Sequence, residues 1–245
     1  MFEQRGKEGS VAFLTDFSLM AVAREHRETA LGEAETACEL YLAVETGPSA
    51  QDYLAAALAA APVACVLIES ANAEGLAATA ARPLIEIAQR QGVAALVGSD
   101  ARLARTLKAD GVHLPWSKDL LQAYEEAREL LDNGLIVGVQ AGKSRHDAML
   151  LAENGADYIG FGLPAEVKDR DSGRARRLEL IAWWAEIFTV PCVAFDVDSP
   201  EDAGVLAAAG ADFLGCRLHR GTTPADVAER IAGIFRAVRQ AERAA

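Results

Sequence analysis

Hydrophobic residues recur along this chain in short, nearly continuous runs that are separated by longer amphipathic stretches. The runs are rich in Val, Ile, Leu and aromatic residues, and they are too short for core helices. They do not alternate strictly between apolar and polar residues, which favours parallel strands covered on both faces. The runs are LYLAVE (40–45), ACVLIE (64–69), VAALVG (93–98), GVHL (111–114), LIVGVQ (135–140), DYIGFG (157–162), PCVAFD (191–196) and DFLGCR (212–217).

The stretches between the runs carry helix start signals. Ser49, Ser117 and Ser144 stand where an N-cap is expected, and Ser199 precedes Pro200 in a cap-then-proline arrangement. Strands and helices therefore alternate along the chain.

Eight strand–helix units over about 200 residues are typical of a (β/α)₈ barrel. We place the barrel at residues 39–245 and treat residues 1–38 as an N-terminal extension of unknown role. The alternative is a doubly wound open sheet, but no G-x-G-x-x-G follows the first strand.

An Ala-Asp pair precedes three of the runs, at Asp110, Asp157 and Asp212. Each pair follows a helix end and leads into a strand. We expect these aspartates to be structural and to lie at the bottom of the barrel, because sites in this fold lie at the carboxyl ends of the strands.

Composition and charge exclude several classes of protein. The chain has 24 Lys and Arg against 36 Asp and Glu, a formal net charge of −12, which is unfavourable for nucleic-acid binding. The start of the chain lacks an apolar signal core and no apolar run reaches about 18 residues, so we expect a cytoplasmic protein without a membrane span. None of the four cysteines forms a C-x-x-C pair, which indicates buried, reduced thiols.

The residues that end each strand are the ones to inspect for chemistry in such a barrel. His113 ends the fourth run and Trp116 follows it. The histidine can bond a ligand or act as an acid or base, or it can be satisfied by a neighbouring carbonyl. The indole can stack on an aromatic ligand or cover the barrel rim. No G-x-S-x-G or H-E-x-x-H motif is present.

Three segments carry a family resemblance: ADGVHL, IVGVQAGKSRHDAMLLAENGADYIGFG and VPCVAFDVDSPEDAGVLAAAGADFLGC. They resemble the thiamine phosphate synthase and thiazole tautomerase (TenI-like) family, in register from about Tyr41 to the end. The resemblance implies a (β/α)₈ barrel that joins a pyrimidine diphosphate to a thiazole phosphate with magnesium and releases pyrophosphate. It also implies that His113 lines the pyrimidine pocket.

The chain departs from the family pattern at most strand ends. The family's pyrophosphate-binding Q-x-R-x-K after the second strand is replaced by IESANAE, without a cation. Asp100 matches the family's magnesium-binding aspartate only if one residue is deleted. Lys118 stands where a second magnesium aspartate is expected. Gln140 replaces the serine after the fifth strand, and only Lys168, at a shifted position, can stand in for the lysine after the sixth.

The seventh strand ends in AFDVD where the family has glycines that approach a phosphate. Asp196 and Asp198 bring side chains and negative charge to this position. At an effective dielectric of about 20, a carboxylate 4 Å from a phosphate charge is opposed by roughly 4 kcal/mol. Unless a metal bridges the charges, we expect the thiazole phosphate not to bind in the family's way.

Two functions fit this combination. The first is a thiamine phosphate synthase-like transferase, or a diverged member of the family in thiamine metabolism, with Mg²⁺ as its cofactor if it is active. The second is a catalytically inactive barrel that binds a small ligand in a regulatory role. We expect a small-molecule ligand, phosphorylated or not, no nucleic acid, no membrane, and leave open a homo-oligomer. The candidate substrate-binding residues are His113, Trp116, Gln140 and Lys168, and the candidate metal ligand is Asp100.

Overall fold

The computed structural model describes residues 38–71, 75–131, 134–142, 144–163, 169–218 and 223–244. Eight parallel strands close into a barrel in chain order, with a helix after each strand. The strands are β1 (Glu39–Glu45), β2 (Cys65–Glu69), β3 (Ala94–Gly98), β4 (Gly111–Leu114), β5 (Ile136–Gln140), β6 (Tyr158–Phe161), β7 (Cys192–Ala194) and β8 (Phe213–Leu218). The helices are α1 (Ala50–Ala60), α2 (Ala78–Arg90), α3 (Ala101–Leu107), α4 (Leu120–Leu130), α5 (Arg145–Glu153), α6 (Arg170–Ile187), α7 (Pro200–Ala208) and α8 (Pro224–Ala244).

The (β/α)₈ prediction is confirmed. Barrel closure is direct, because β1 pairs in parallel with both β2 and β8. The open-sheet alternative is therefore wrong. Residues 1–37 of the predicted N-terminal extension lie outside the described residues.

The helix caps agree only in part with the predictions. The side chains of Ser144 and Ser199 accept backbone N–H groups in the first turns of α5 and α7, as expected. Ser49 is the N-cap of α1 but makes no side-chain cap bond. Ser117 is not a cap, because α4 begins at Leu120 with Asp119 before it. The PWSK segment after β4 is consequently left non-helical.

Side chains along each strand point alternately outward to the helices and inward to the barrel interior, and they form two apolar layers. One set of strand residues points outward to the helices, as Leu42 and Val66 do. The other set points into the barrel, where Tyr41, Tyr158, Phe195 and others form a separate cluster. All four cysteines are buried as thiols, as predicted. Within the described residues, no helix is both long and apolar enough to cross a membrane.

Inward-facing glycines make room for the aromatic rings of the interior. A Cβ at Gly138 would overlap the Tyr158 ring, and a Cβ at Gly160 or Gly215 would overlap the ring of Phe195. Since protein interiors are packed to crystal-like density, these positions accept no larger residue without a shift. The interior is thus filled by a few large rings set against glycine.

The three Ala-Asp pairs have one structural role, as predicted. The carboxylates of Asp110, Asp157 and Asp212 accept the N–H groups of Ala95 in β3, Val137 in β5 and Cys192 in β7, at 2.7, 2.7 and 2.8 Å. Each aspartate precedes one strand and ties the amino end of the strand before it. They lie at the end of the barrel opposite the expected site.

Substitution Asp157→Ala is expected to destabilise the fold, because it leaves the N–H of Val137 and the guanidinium of Arg128, 2.5 Å from the carboxylate, without this acceptor. The loss should be about 2 kcal/mol, measured by urea denaturation. Asp171→Ala is the control, since that side chain is 94% exposed, and should leave the midpoint nearly unchanged. Equal midpoints for wild type and Asp157→Ala would contradict the assigned role.

Candidate functional site

Polar side chains collect at the carboxyl ends of the strands, which we call the mouth of the barrel. Inward-facing positions at this end follow the alternation of the strands, so residues far apart in the chain converge here. The polar residues at or beside these positions are Glu45, Glu69, His113, Gln140, Asp196 and Arg217.

An ion cluster of three neighbouring strands lines one side of the mouth. Arg217 of β8 pairs with Glu69 of β2 across β1, and its Nη1 lies 3.6 Å from Glu45. Burial lowers the pKa of Arg217, but Glu69, Asp196 and Glu45 together raise it above its ordinary value. The guanidinium is therefore permanently charged and shared by several carboxylates.

His113 lies below the mouth and is only 3% exposed. Its Nδ1 is 2.7 Å from the hydroxyl of Tyr158, which in turn lies 2.8 Å from the hydroxyl of Tyr41. The imidazole stacks on the Tyr158 ring with an interplanar angle of 7° and is also hydrogen-bonded by Gln140. The partners are thus side chains rather than the carbonyl that the sequence suggested as an alternative.

The protonation state of His113 follows from this burial. Desolvation lowers the pKa of His113 to about 3, with a smaller lowering from Arg217 and an opposing contribution from the Gln140 hydrogen bond. The imidazole is neutral near pH 7 and is poorly matched to general acid–base work there. Its chemistry in this structure is that of a hydrogen-bonding group, and contact with substrate stays a prediction.

Trp116 is the most exposed aromatic feature of the mouth. It is 53% exposed and follows β4. A Cβ at Gly142 would overlap the indole, so Gly142 after β5 allows the ring to lie against the chain. A half-exposed indole after β4 offers a stacking surface for a planar ligand.

Gln140 and Asp196 meet at Gly162, just after β6. A Cβ at Gly162 would lie 2.7 Å from Gln140 Nε2 and 2.9 Å from Asp196 Oδ2. Asp196 Oδ2 accepts the N–H of Leu163 at 2.7 Å. The carboxylate therefore joins the end of β7 to the segment after β6, and β7 ends at Ala194 rather than at 196.

A buried arginine that sequence reasoning missed holds the end of β7. Arg177 of α6 is 1% exposed and donates to the carbonyls of Phe195 and Asp196 at 2.6 and 3.0 Å. It also binds both carboxylate oxygens of Asp202 at 2.6 and 2.8 Å. The sequence RARR shows several arginines at helical spacing, but nothing in it separates the buried one from the solvated ones.

The two remaining predicted site residues, Asp100 and Lys168, are not among the polar residues gathered at the mouth in the described structure. Asp100 is the N-cap of α3, where its Oδ1 accepts the N–H of Leu103 at 2.8 Å. Lys168 lies outside the described residues. Gathered groups of three or more His, Cys, Asp or Glu that could hold a metal ion are absent from the part of the chain that the structure describes. Asp100 supplies one carboxylate, a ligand type that Mg²⁺ prefers, and its role as a metal ligand stays a prediction.

The fold and this mouth define a (β/α)₈ barrel with polar groups at the carboxyl ends of its strands. The family model described as thiamine monophosphate synthase matches residues 40–216. The chain belongs to the thiamine monophosphate synthase family, as its motifs predicted, and is a thiamine phosphate synthase-like protein.

Curated relatives carry the same description. The thiamine-phosphate synthase of Rhodospirillum centenum is 36% identical over 211 residues, which cover 83% of this chain and 99% of the relative. That of Erythrobacter litoralis is 42% identical over 140 residues, 56% of this chain and 64% of the relative. The chain thus spans slightly less than two thirds of the second relative and nearly all of the first.

Solved structures agree on the fold. A thiamine phosphate pyrophosphorylase from Pyrococcus furiosus matches with a TM-score of 0.65 at 19% identity, covering 83% of this chain and 96% of that one. A tryptophan synthase chain from Mycobacterium tuberculosis matches with a TM-score of 0.67 at 13% identity, covering 91% and 98%. At these identities the likeness concerns the barrel alone.

The lowered pKa of His113 has a consequence for stability. The unfolded chain takes up this proton near pH 6.5, whereas the folded chain does so only near pH 3. Stability is therefore full above pH 6.5 and falls as the pH drops towards 3. From pH 7.5 to 5.5, wild type should lose about 1.4 kcal/mol more than His113→Asn, measured by urea unfolding. Equal losses in the two proteins would contradict a buried neutral imidazole.

Proposed function

We propose that this chain joins a hydroxymethylpyrimidine diphosphate to a thiazole phosphate and releases pyrophosphate. The C–O bond between the pyrimidine methylene and the diphosphate breaks, and a C–N bond forms between that methylene and the thiazole nitrogen. The observation that carries the proposal is the match to the Rhodospirillum centenum thiamine-phosphate synthase over 99% of its length.

The chain's own residues contribute orientation and charge rather than a covalent nucleophile. Trp116 offers a face for stacking of the pyrimidine, and Gln140 holds the neutral imidazole of His113 at the base of the mouth. Arg217 lies among carboxylates at the opposite side. In this proposal Asp100 and Lys168 bind Mg²⁺ and an anionic group, respectively.

Bound Mg²⁺ would neutralise charge that develops on the departing diphosphate. This requirement is part of the proposal, as are a cytoplasmic location and self-association of the chain. Asp100 would hold Mg²⁺ through its single carboxylate.

A second candidate function is a small-molecule binding barrel without catalysis. It is favoured by the pairing of the arginines beside β7 and β8. Arg217 binds Glu69, Arg174 binds Asp198 at 2.7 Å, and Arg177 binds two backbone carbonyls and the Asp202 carboxylate. A diphosphate would have to compete with these internal anions.

Product analysis separates the two functions. The purified protein, mixed with both substrates and magnesium, is expected to form thiamine phosphate and pyrophosphate in equal amounts. Chelation of the metal with EDTA should abolish the reaction and serves as the control. Absence of product at high enzyme concentration, with both substrates binding by calorimetry, would favour the non-catalytic barrel.

Removal of the exposed indole tests the stacking role. Trp116→Ala is expected to lower kcat/KM for the pyrimidine diphosphate by about three- to tenfold, the range for one aromatic contact. Ile187→Ala, at an exposed apolar residue at the end of α6, is the matched control. An unchanged kcat/KM in Trp116→Ala would assign the indole to rim packing.

A further inference from the structure

Asp196 has an unusual backbone conformation at the edge of the mouth. Its φ is 62°, in the left-handed region that residues with a side chain rarely adopt. Strained conformations of this kind persist only where the surroundings hold them, and they concentrate at functional sites.

The turn at Asp196 is held from behind by Arg177. This guanidinium binds the carbonyls of Phe195 and Asp196 and is itself fixed by both oxygens of Asp202. The N–H of the next residue, Val197, donates to the carbonyl of Gly215 at 3.1 Å. The backbone is therefore anchored to α6, α7 and β8.

The side chain places its carboxylate on a backbone donor after β6. Oδ2 accepts the N–H of Leu163 at 2.7 Å, and the absence of a side chain at Gly162 leaves the space for it. Backbone N–H groups at strand ends of a barrel mouth are groups to which ligand anions bind. In this chain an internal anion already takes that bond.

The carboxylates around Arg217 also disfavour a ligand phosphate on this side of the mouth. Asp196 lies near Arg217 together with Glu45 and Glu69, so three carboxylates surround one guanidinium. A phosphate that approached this side of the mouth would meet a net negative charge. A neutral group would meet no such repulsion.

We propose that Asp196 is a specificity-determining residue, whose carboxylate occupies the backbone donor that a ligand phosphate would use. The mouth between β6 and β8 consequently accepts an unphosphorylated thiazole alcohol at least as well as thiazole phosphate. This inference rests on the proposed function for the identity of the ring. With the alcohol as acceptor, the same C–N bond forms, pyrophosphate leaves, and the product carries no phosphate.

Calorimetric titration of the full chain with thiazole alcohol and with thiazole phosphate tests the proposal. The measured quantity is the ratio of the two Kd values in wild type, Asp196→Asn and Asp196→Gly. Asparagine and glycine both tolerate the left-handed backbone, so both variants should fold. Asparagine removes the charge and keeps an acceptor for Leu163, whereas glycine also frees the donor.

Asp196→Gly is expected to shift the ratio towards thiazole phosphate by about tenfold, and Asp196→Asn by a smaller factor. Glu201→Gln is the control, since it removes one negative charge at an exposed position in the first turn of α7. Its ratio should equal that of wild type.

Three outcomes each overturn the proposal: tighter binding of thiazole phosphate than of the alcohol by wild type, an unchanged ratio of Kd values in Asp196→Gly, or no binding of either thiazole to any variant. Binding is measured without the pyrimidine, so it is independent of turnover. A chain that forms product but shows no shift keeps the synthase function and loses the role of Asp196. A chain that shows the shift but forms no product keeps the role of Asp196 and loses the synthase function.

Discussion

The fit of large aromatic rings against glycine inside the barrel is the constraint on which the structure depends. Tyr158 occupies the space left by Gly138, and Phe195 the space left by Gly160 and Gly215. Both rings contact Tyr41 edge-on, and His113 stacks on Tyr158 and lies tilted against Phe195. Because close packing tolerates little change in volume, the rings set the spacing of the strands and the level at which the interior ends and the mouth begins.

Above this level the structure balances charges rather than volumes. Each described arginine beside the ends of β7 and β8 has an internal acidic or carbonyl partner. Such pairs keep the guanidinium groups in place, yet an anionic ligand must exchange with a carboxylate to use them. The same feature therefore supports two views of the mouth, as a preorganised site and as a site that has lost its phosphate contacts.

Much of the fold followed from local patterns. The eight apolar runs predicted the strands to within about two residues at each end, and the Ala-Asp pairs predicted the bottom of the barrel. The start of α4 was missed, because both Ser117 and Asp119 are capping residues and sequence alone does not choose between them. The bond from Leu163 to Asp196 joins segments 33 positions apart and had no local signal.

The sequence by itself determined the order of strands and helices, the barrel and the family, since each depends on hydrophobic periodicity and on motifs read along the chain. It also marked His113 and Asp196 as residues at strand ends. Only the tertiary structure decided that His113 is buried against Tyr158 with a pKa of about 3, and that Arg177 holds the turn that presents Asp196. Burial and charge pairing depend on residues that are distant in sequence, and their partners are chosen only when the barrel closes.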